Sequence, residues 1–272
     1  DRSVSRGLGD VYKRQESLVP LLALNNKSNK NIIIFPTDKE AIEFSTDFSN
    51  LNKNIFHLPS WDTLSYDSFV PSFDIQGKRL EIAHLLLTNN NYNIATSIKA
   101  ISQRIYFEEL EICKIELNEE IDFDSLIENL IHLKYQRKDR VESKGSFAIR
   151  GGQLDVYPIN YDLPLRVIFD GDLVNEIKTF DTISQRSVSE KKDILIVPAT
   201  ELFQIKHSDI LNLSSNKKEN LDDYELFQYS QNLDLEKCLL DLTSNVALHI
   251  VDKNIVDNQL KEIIDIEKDT FE

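Results

Sequence analysis

No methionine occurs in the 272 residues, and only two are cysteine, seven glycine and one tryptophan. An intact reading frame opens with Met, so its absence predicts a piece of a longer chain. Cys113 and Cys238 have no second Cys nearby, which excludes a disulfide framework and any CxxC metal or redox site. Two reduced cysteines in a cytoplasmic protein are the expectation. The histidines, His57, His84, His132, His207 and His249, show no HxxxH or HxH spacing, so no metal is expected. No apolar run approaches the ~18 residues of a membrane span, and Leu18 to Leu24 is too short, and too interrupted by Pro20, for a signal peptide.

Positive charge is scarce as well. Lys and Arg number 31 against 46 Asp and Glu, giving a net charge of −15. Such a chain repels a phosphate backbone overall, so nucleic acid could be held only by a local patch. Lys134 to Lys144 and the aromatics Trp61, Tyr66, Phe69 and Phe73 are the candidates for that role, and an aromatic loop packed on its own domain is the alternative.

Glycine is clustered. Two of the seven lie within residues 1–15, a stretch with neither helical nor strand period that reads as a non-native, adapter-derived tail and is left out of the fold reasoning. Of the remaining five, four (Gly145, Gly151, Gly152 and Gly171) fall within 27 residues of one another. Gly151-Gly152 and Gly171-Asp172 are read as tight turns, since glycine reaches positive φ without steric penalty. Phe147, Ile149, Leu154 and Val156 then face a core, and Arg150 stands at the kink, pointing outward. The same scarcity excludes a nucleotide site. Gly77-Lys78 lacks both the upstream Gly and the following Ser or Thr of a P-loop, and no G-x-G-x-x-G is present. No cofactor is expected.

What the chain does contain divides by period. From residue 16 to 112 strands and helices alternate: strands at Asn31 to Pro36, Asn54 to Leu58 and Tyr92 to Thr96; helices at Asp38 to Leu51, with Thr37 and Glu40 as a capping box, and at Arg79 to Leu87. Residues 113–198 change to alternation. A helix at Glu119 to Asn129 with the stripe Phe123, Leu126, Ile127 and Leu130 is followed by strands at Arg140 to Val141, Ser146 to Pro158, Leu165 to Asp170 and Leu173 to Asp181. Beyond a strand-like run at Ile194 and a polar stretch at Asn212 to Asn220, residues 199–272 return to helix and strand patterns at Leu233 to Leu242, Val246 to Val251 and Ile255 to Lys268. The fold class is α/β with a parallel sheet, then an α+β unit on an antiparallel sheet, then a partial return to α/β.

Five of the seven arginines outside the tail, Arg137, Arg140, Arg150, Arg166 and Arg186, lie in the antiparallel unit. Guanidinium groups suit docking onto an acidic protein surface. They equally suit internal pairing with Asp139, Asp155, Asp170, Asp172 or Asp181, and both readings stand. Asp170, Asp172 and Asp181 as a metal-ion cluster for phosphodiester chemistry is set aside in favour of ordinary turn carboxylates.

Two stretches carry a family resemblance: LPSWDTLSYDSFVPSFDIQGKRLEIAHLL from Leu58, and RVESKGSFAIRGGQLDVYPI with LPLRVIFDGDLVNEIKTFDTISQRS between Arg140 and Ser187. Over about residues 17 to 205 the chain resembles the N-terminal module of the bacterial transcription-repair coupling factors (Mfd), itself similar to the excision-repair protein UvrB. UvrB carries a P-loop and a long DNA-clamping β-hairpin insertion. Here residues 16–31 contain no glycine and Asp74 passes directly into the helix at Arg79, so a UvrB-type subunit is the alternative reading, with a direct DNA-binding module as another. The resemblance implies a degenerate helicase-like domain at 16–112, a UvrB interaction domain at 113–198 that binds UvrA, and the truncated start of a second α/β half at 199–272. It implies a non-catalytic docking module, since the family's motor and its RNA polymerase- and DNA-binding parts lie beyond residue 272. The family's UvrA-contacting arginines match Arg150 and Arg166. An aromatic pair usually follows the second; here Phe169 is present and the second position is Asp170, which weakens an apolar contact or pairs with Arg166.

Overall fold

The computed structural model describes residues 29–49, 55–63, 69–107, 109–205, 227 and 237–271. Asn212 to Asn220 lies outside them. Contacts divide the chain into two compact units, one comprising Asp1–Trp61, Ile82–Ile105 and Glu236–Glu272, the other Asp62–Glu81 and Tyr106–Leu235.

In the first unit, β1 (Lys30–Phe35), β2 (Ile55–Leu58), β3 (Tyr92–Ser97) and β12 (Ala247–Ile250) form a parallel sheet in the order β12-β1-β3-β2. β1 is a run of isoleucines buried on both faces, as a central parallel strand should be. Helix α1 (Asp38–Ser49) opens on the capping box that Thr37 and Glu40 encode. The Glu40 amide donates to Thr37 Oγ1 at 3.3 Å, and the Thr37 amide to Glu40 Oε2 at 3.1 Å. Its Ala41, Phe44 and Phe48 pack on Ile33, Phe35, Ile55, Ala95 and Val251. The returning strand β12 lies beside β1 and is followed by α5 (Lys253–Phe271), so the C-terminal residues re-enter the first sheet.

The second unit is built on a six-stranded sheet ordered β10-β9-β8-β7-β6-β5, with β5 (Gln136–Arg137), β6 (Ser146–Arg150), β7 (Gln153–Tyr157), β8 (Leu165–Asp170), β9 (Leu173–Phe180) and β10 (Ser187–Glu190). Helix α4 (Phe123–His132) and the antiparallel pair β4 (Cys113–Glu116) and β11 (Asp193–Ile196) cover one face. Phe147, Leu154, Val156, Leu165, Val167 and Ile177 meet Leu126 and Leu130 in that core, with Ile149, Phe123 and Ile127 at its margin. Between β3 and β4 a short helix, α3 (Ile98–Ser102), is capped by Ser97, which accepts from the Ala100 amide at 3.0 Å.

Several elements depart from the sequence reading. Helix α2 runs from Phe73 to Thr88, beginning a turn and a half before Arg79 and carrying Gly77 in its interior. A Cβ on Gly77 would sit 2.5 Å from the Ile159 carbonyl oxygen, so the glycine serves a close backbone approach rather than a loop. α4 starts at Phe123 because Asp122 is its N-cap, accepting from the Ser125 amide at 2.7 Å. The acidic residues before it pair with the start of β9: the Ile121 amide donates to the Asp172 carbonyl and the Val174 amide to the Glu119 carbonyl. Arg140 and Val141 are not a strand; β5 lies earlier and pairs with β6 in parallel, the exception to the antiparallel expectation. β10 is an added edge strand whose four residues are all exposed and therefore show no alternation.

A candidate protein-docking face

The face of the six-stranded sheet away from α4 is built by period-two alternation. Because Phe147, Leu154 and Val167 point into the core, Ala148, Arg150, Gln153, Asp155, Arg166 and Ile168 point the other way. Register then sets rows across the strands. Arg150 opposes Gln153, Gln153 opposes Ile168, and Ile168 opposes Glu176; Asp155 opposes Arg166, which opposes Lys178.

Both glycine turns lie at the same end of the sheet. Gly151, at φ 61°, and Gly171, at φ 62°, each occupy the first position of a two-residue hairpin loop, where a type II′ turn requires glycine. Gly152 leaves room for the Phe169 carbonyl oxygen, which a Cβ would approach to 2.9 Å.

Arg150 ends β6 at the first of these turns. It is exposed, and its Nη2 donates to the Asp139 carbonyl oxygen at 3.2 Å. Arg166 is held inside the domain instead. Its Nε and Nη2 donate to Asp155 Oδ1 and Oδ2 at 2.7 and 2.8 Å, a bidentate pair in which Asp155 is only 5% exposed. The Asp155 hydrogen bonds raise the guanidinium pKa further above its ordinary range. The guanidinium also lies 4.4 Å from the centre of the Phe180 ring and reaches the Gln185 carbonyl at 3.3 Å. Of the internal pairings considered from sequence, that with Asp155 is the one Arg166 makes. The alternative pairing of Arg166 with Asp170 is corrected: Asp155 stands directly opposite Arg166, whereas Asp170 sits at the β8–β9 turn, exposed and opposite Leu173. Phe169 is buried at 7% exposure in the domain core, edge-on to Phe123 with ring centres 5.0 Å apart, so its side chain does not reach the outer face.

In the loop from Asp181 to Arg186, another part of this surface, the sequence reading named only the two end residues. Asp181 Oδ1 accepts from the Ser184 amide and hydroxyl at 2.7 and 2.8 Å, and its pKa is held below the usual carboxylate value by these bonds. The spacing Asp-x-x-Ser was the available signal. Arg140 Nη2 donates to the Thr182 carbonyl at 2.8 Å, and Arg140 Nε lies 3.7 Å from Glu142. Arg137 and Arg186 are exposed and form no ion pair with another described residue.

Of the nucleic-acid candidates, Phe73 and Lys134, Lys138 and Lys144 line one cavity of the second unit. Trp61 is buried, Phe69 and Phe73 are exposed, Tyr66 lies outside the described residues, and Lys144 is bound to Asp74 and to the Ile159 carbonyl. Among the described residues no group of three or more His, Cys, Asp or Glu is arranged to hold a metal ion, and no helix is long and apolar enough to cross a membrane.

Residues 113–202, which supply this whole face, match the family model described as the UvrB interaction domain. The chain is 26% identical over 198 residues to the transcription-repair-coupling factor of Haemophilus influenzae, covering 71% of this chain and 17% of that protein. It is 25% identical over 289 residues to that of Bacillus subtilis, covering 92% and 24% respectively. It is also 22% identical over 215 residues to the UvrABC system protein B of Thermosipho africanus, covering 72% and 32%. The chain thus spans about a quarter or less of the coupling factors it matches. Residues 113–202 carry the UvrB interaction domain match, within a chain similar to transcription-repair-coupling factors across much of its length.

Proposed function

We propose that this chain is a non-catalytic docking module of transcription-coupled nucleotide excision repair in the cytoplasm, and that the outer face of its 113–198 domain recruits UvrA. Residues 16–112 and 199–272 flank it in sequence. One observation carries the reading: within the region matching the UvrB interaction domain, an acidic protein exposes Arg150 on a polar sheet face, committed to no more than one backbone carbonyl. That guanidinium is available for charge-assisted hydrogen bonds to an acidic or carbonyl-rich partner. Asp170, exposed at the neighbouring turn, meets the partner beside it. Arg166 and Phe169 act through the domain, the first by fixing Gln185 and Asp155, the second by seating β8 on α4.

Titration of the 272-residue chain against UvrA, wild type beside Arg150→Ala and Arg166→Ala, tests this. Arg150→Ala is expected to weaken binding by about 2 kcal/mol, roughly thirtyfold, as for an arginine near the centre of an interface. Unchanged affinity in both variants refutes the site, and absence of binding by the wild type refutes the function.

A further inference from the structure

Ile183 is 88% exposed, more than any other large apolar side chain among the described residues. A single exposed apolar residue is ordinarily unremarkable, because much of any protein surface is apolar. The mounting of this one is different. Asp181 and Ser184, on either side of it, are closed by two hydrogen bonds to one carboxylate oxygen. The Gln185 amide donates to the Asp181 carbonyl at 2.8 Å, the Asp181 amide to the Arg186 carbonyl at 3.0 Å, and Gln185 Nε2 to the Thr182 carbonyl at 2.7 Å. Two arginines from other segments then fasten the loop, Arg140 at the Thr182 carbonyl and Arg166 at the Gln185 carbonyl. A loop tied at this many points holds its tip in one place, which reduces the ordering cost of burying that tip against a partner.

The surroundings indicate the partner's chemistry. Arg140, paired with Glu142, and Arg186, which forms no ion pair with another described residue, are exposed on the same loop or its clamp; the Asp181 carboxylate is bound inward by Ser184, and Asp155 is neutralised by Arg166. The tip is therefore an apolar side chain whose neighbouring charges are mostly committed within the domain, with the Arg186 guanidinium beside it free to meet an anion or carbonyl, on a molecule of net charge −15. We infer that Ile183 is an anchor that inserts into an apolar pocket with an acidic or carbonyl-lined rim on the protein bound by this face, with Asp181 as its positioning residue. The inference rests on the docking reading above and adds the apolar contact that the buried Phe169 cannot make.

Its test is affinity for UvrA measured on the full chain with Ile183→Ala, Asp181→Ala, the double variant, and Ile131→Ala as control. Ile131 is 54% exposed on α4, which packs on the opposite side of the sheet. Ile183→Ala is expected to weaken binding about 10- to 100-fold, the range for burying one large aliphatic side chain, and to leave the unfolding midpoint unchanged. Asp181→Ala should weaken binding in the wild-type background and add nothing once Ile183 is alanine, because a positioning residue acts only through what it positions. An unchanged affinity for Ile183→Ala while Arg150→Ala still weakens binding overturns the inference and leaves the docking reading intact. Equal losses for Ile183→Ala and Ile131→Ala overturn it in favour of generic apolar adhesion, and failure of the wild type to bind overturns both.

Discussion

Arg166→Ala separates a positioning role from a direct contact, because the two predict different places for the free-energy change. In the folded domain Arg166 neutralises a carboxylate that is 5% exposed, and the variant leaves Asp155 with Gln153 Nε2, at 3.0 Å, as its remaining side-chain donor. Breaking a buried pair by removing one partner costs about 3–5 kcal/mol, since the other charge stays buried without compensation. Arg166 itself is 15% exposed and water can enter where it stood, so the lower end, about 3 kcal/mol, is the expected loss. Loss of the cation–π contact with Phe180 contributes about 0.5–1 kcal/mol of that. In urea this lowers the unfolding midpoint by about 1 M at a slope of ~3 kcal/mol/M, followed by far-ultraviolet circular dichroism. Asp155→Ala combined with Arg166→Ala removes the stranded charge and should recover much of the loss. A stable Arg166→Ala protein that nevertheless binds UvrA weakly would refute this reasoning and return Arg166 to the interface.

Two further outcomes test the packing. Gly77→Ala, at an interior helix position where alanine ordinarily gains about 1 kcal/mol, is expected to destabilise by about 1–3 kcal/mol, because its Cβ meets backbone atoms of Ile159 and Asn160 at 2.5–2.9 Å; a raised melting temperature would contradict the close approach. Burial lowers the pKa of both His84 and His249 in the first unit below the ordinary 6.5. A lowered folded-state value means that the stability these neutral rings contribute is present above about pH 6.5 and is lost as pH falls through the lowered values. Denaturation midpoints should therefore decline below pH 6.5 before carboxylates titrate, and His249→Gln should flatten that decline; identical pH profiles would argue against it.

Local physics made part of the fold readable. The isoleucine run of β1, the Thr37–Glu40 box at the start of α1 and the two glycine turns each encode their geometry within a few residues, and each is found as read. Several of the departures involve distant partners. The helix read from Arg79 leaves Gly77 outside it, and the reason for a glycine within α2 is Ile159, 82 positions away, packed against it. The acidic residues before α4 look like its first turn because their backbone partners, Asp172 and Val174, lie in another hairpin. β10 has no buried face, so no alternation could announce it.

The same division runs through the arginines. Arg150 could be placed from sequence because a turn directly after it decides where it points. For Arg166 the deciding fact is the register of β7 against β8, which puts Asp155 opposite it across a connection of several residues that leaves no mark in composition. Two arginines drawn from one family motif therefore meet different physics. A guanidinium already satisfied by a buried carboxylate gains little from a second anion and loses its first partner if it turns outward. One held by a single backbone carbonyl can exchange that bond for a stronger, charge-assisted one. On this face Arg150 is thus free to exchange its single backbone partner, while the Arg166–Asp155 pair stays committed and holds the Gln185 carbonyl of the loop that carries Ile183.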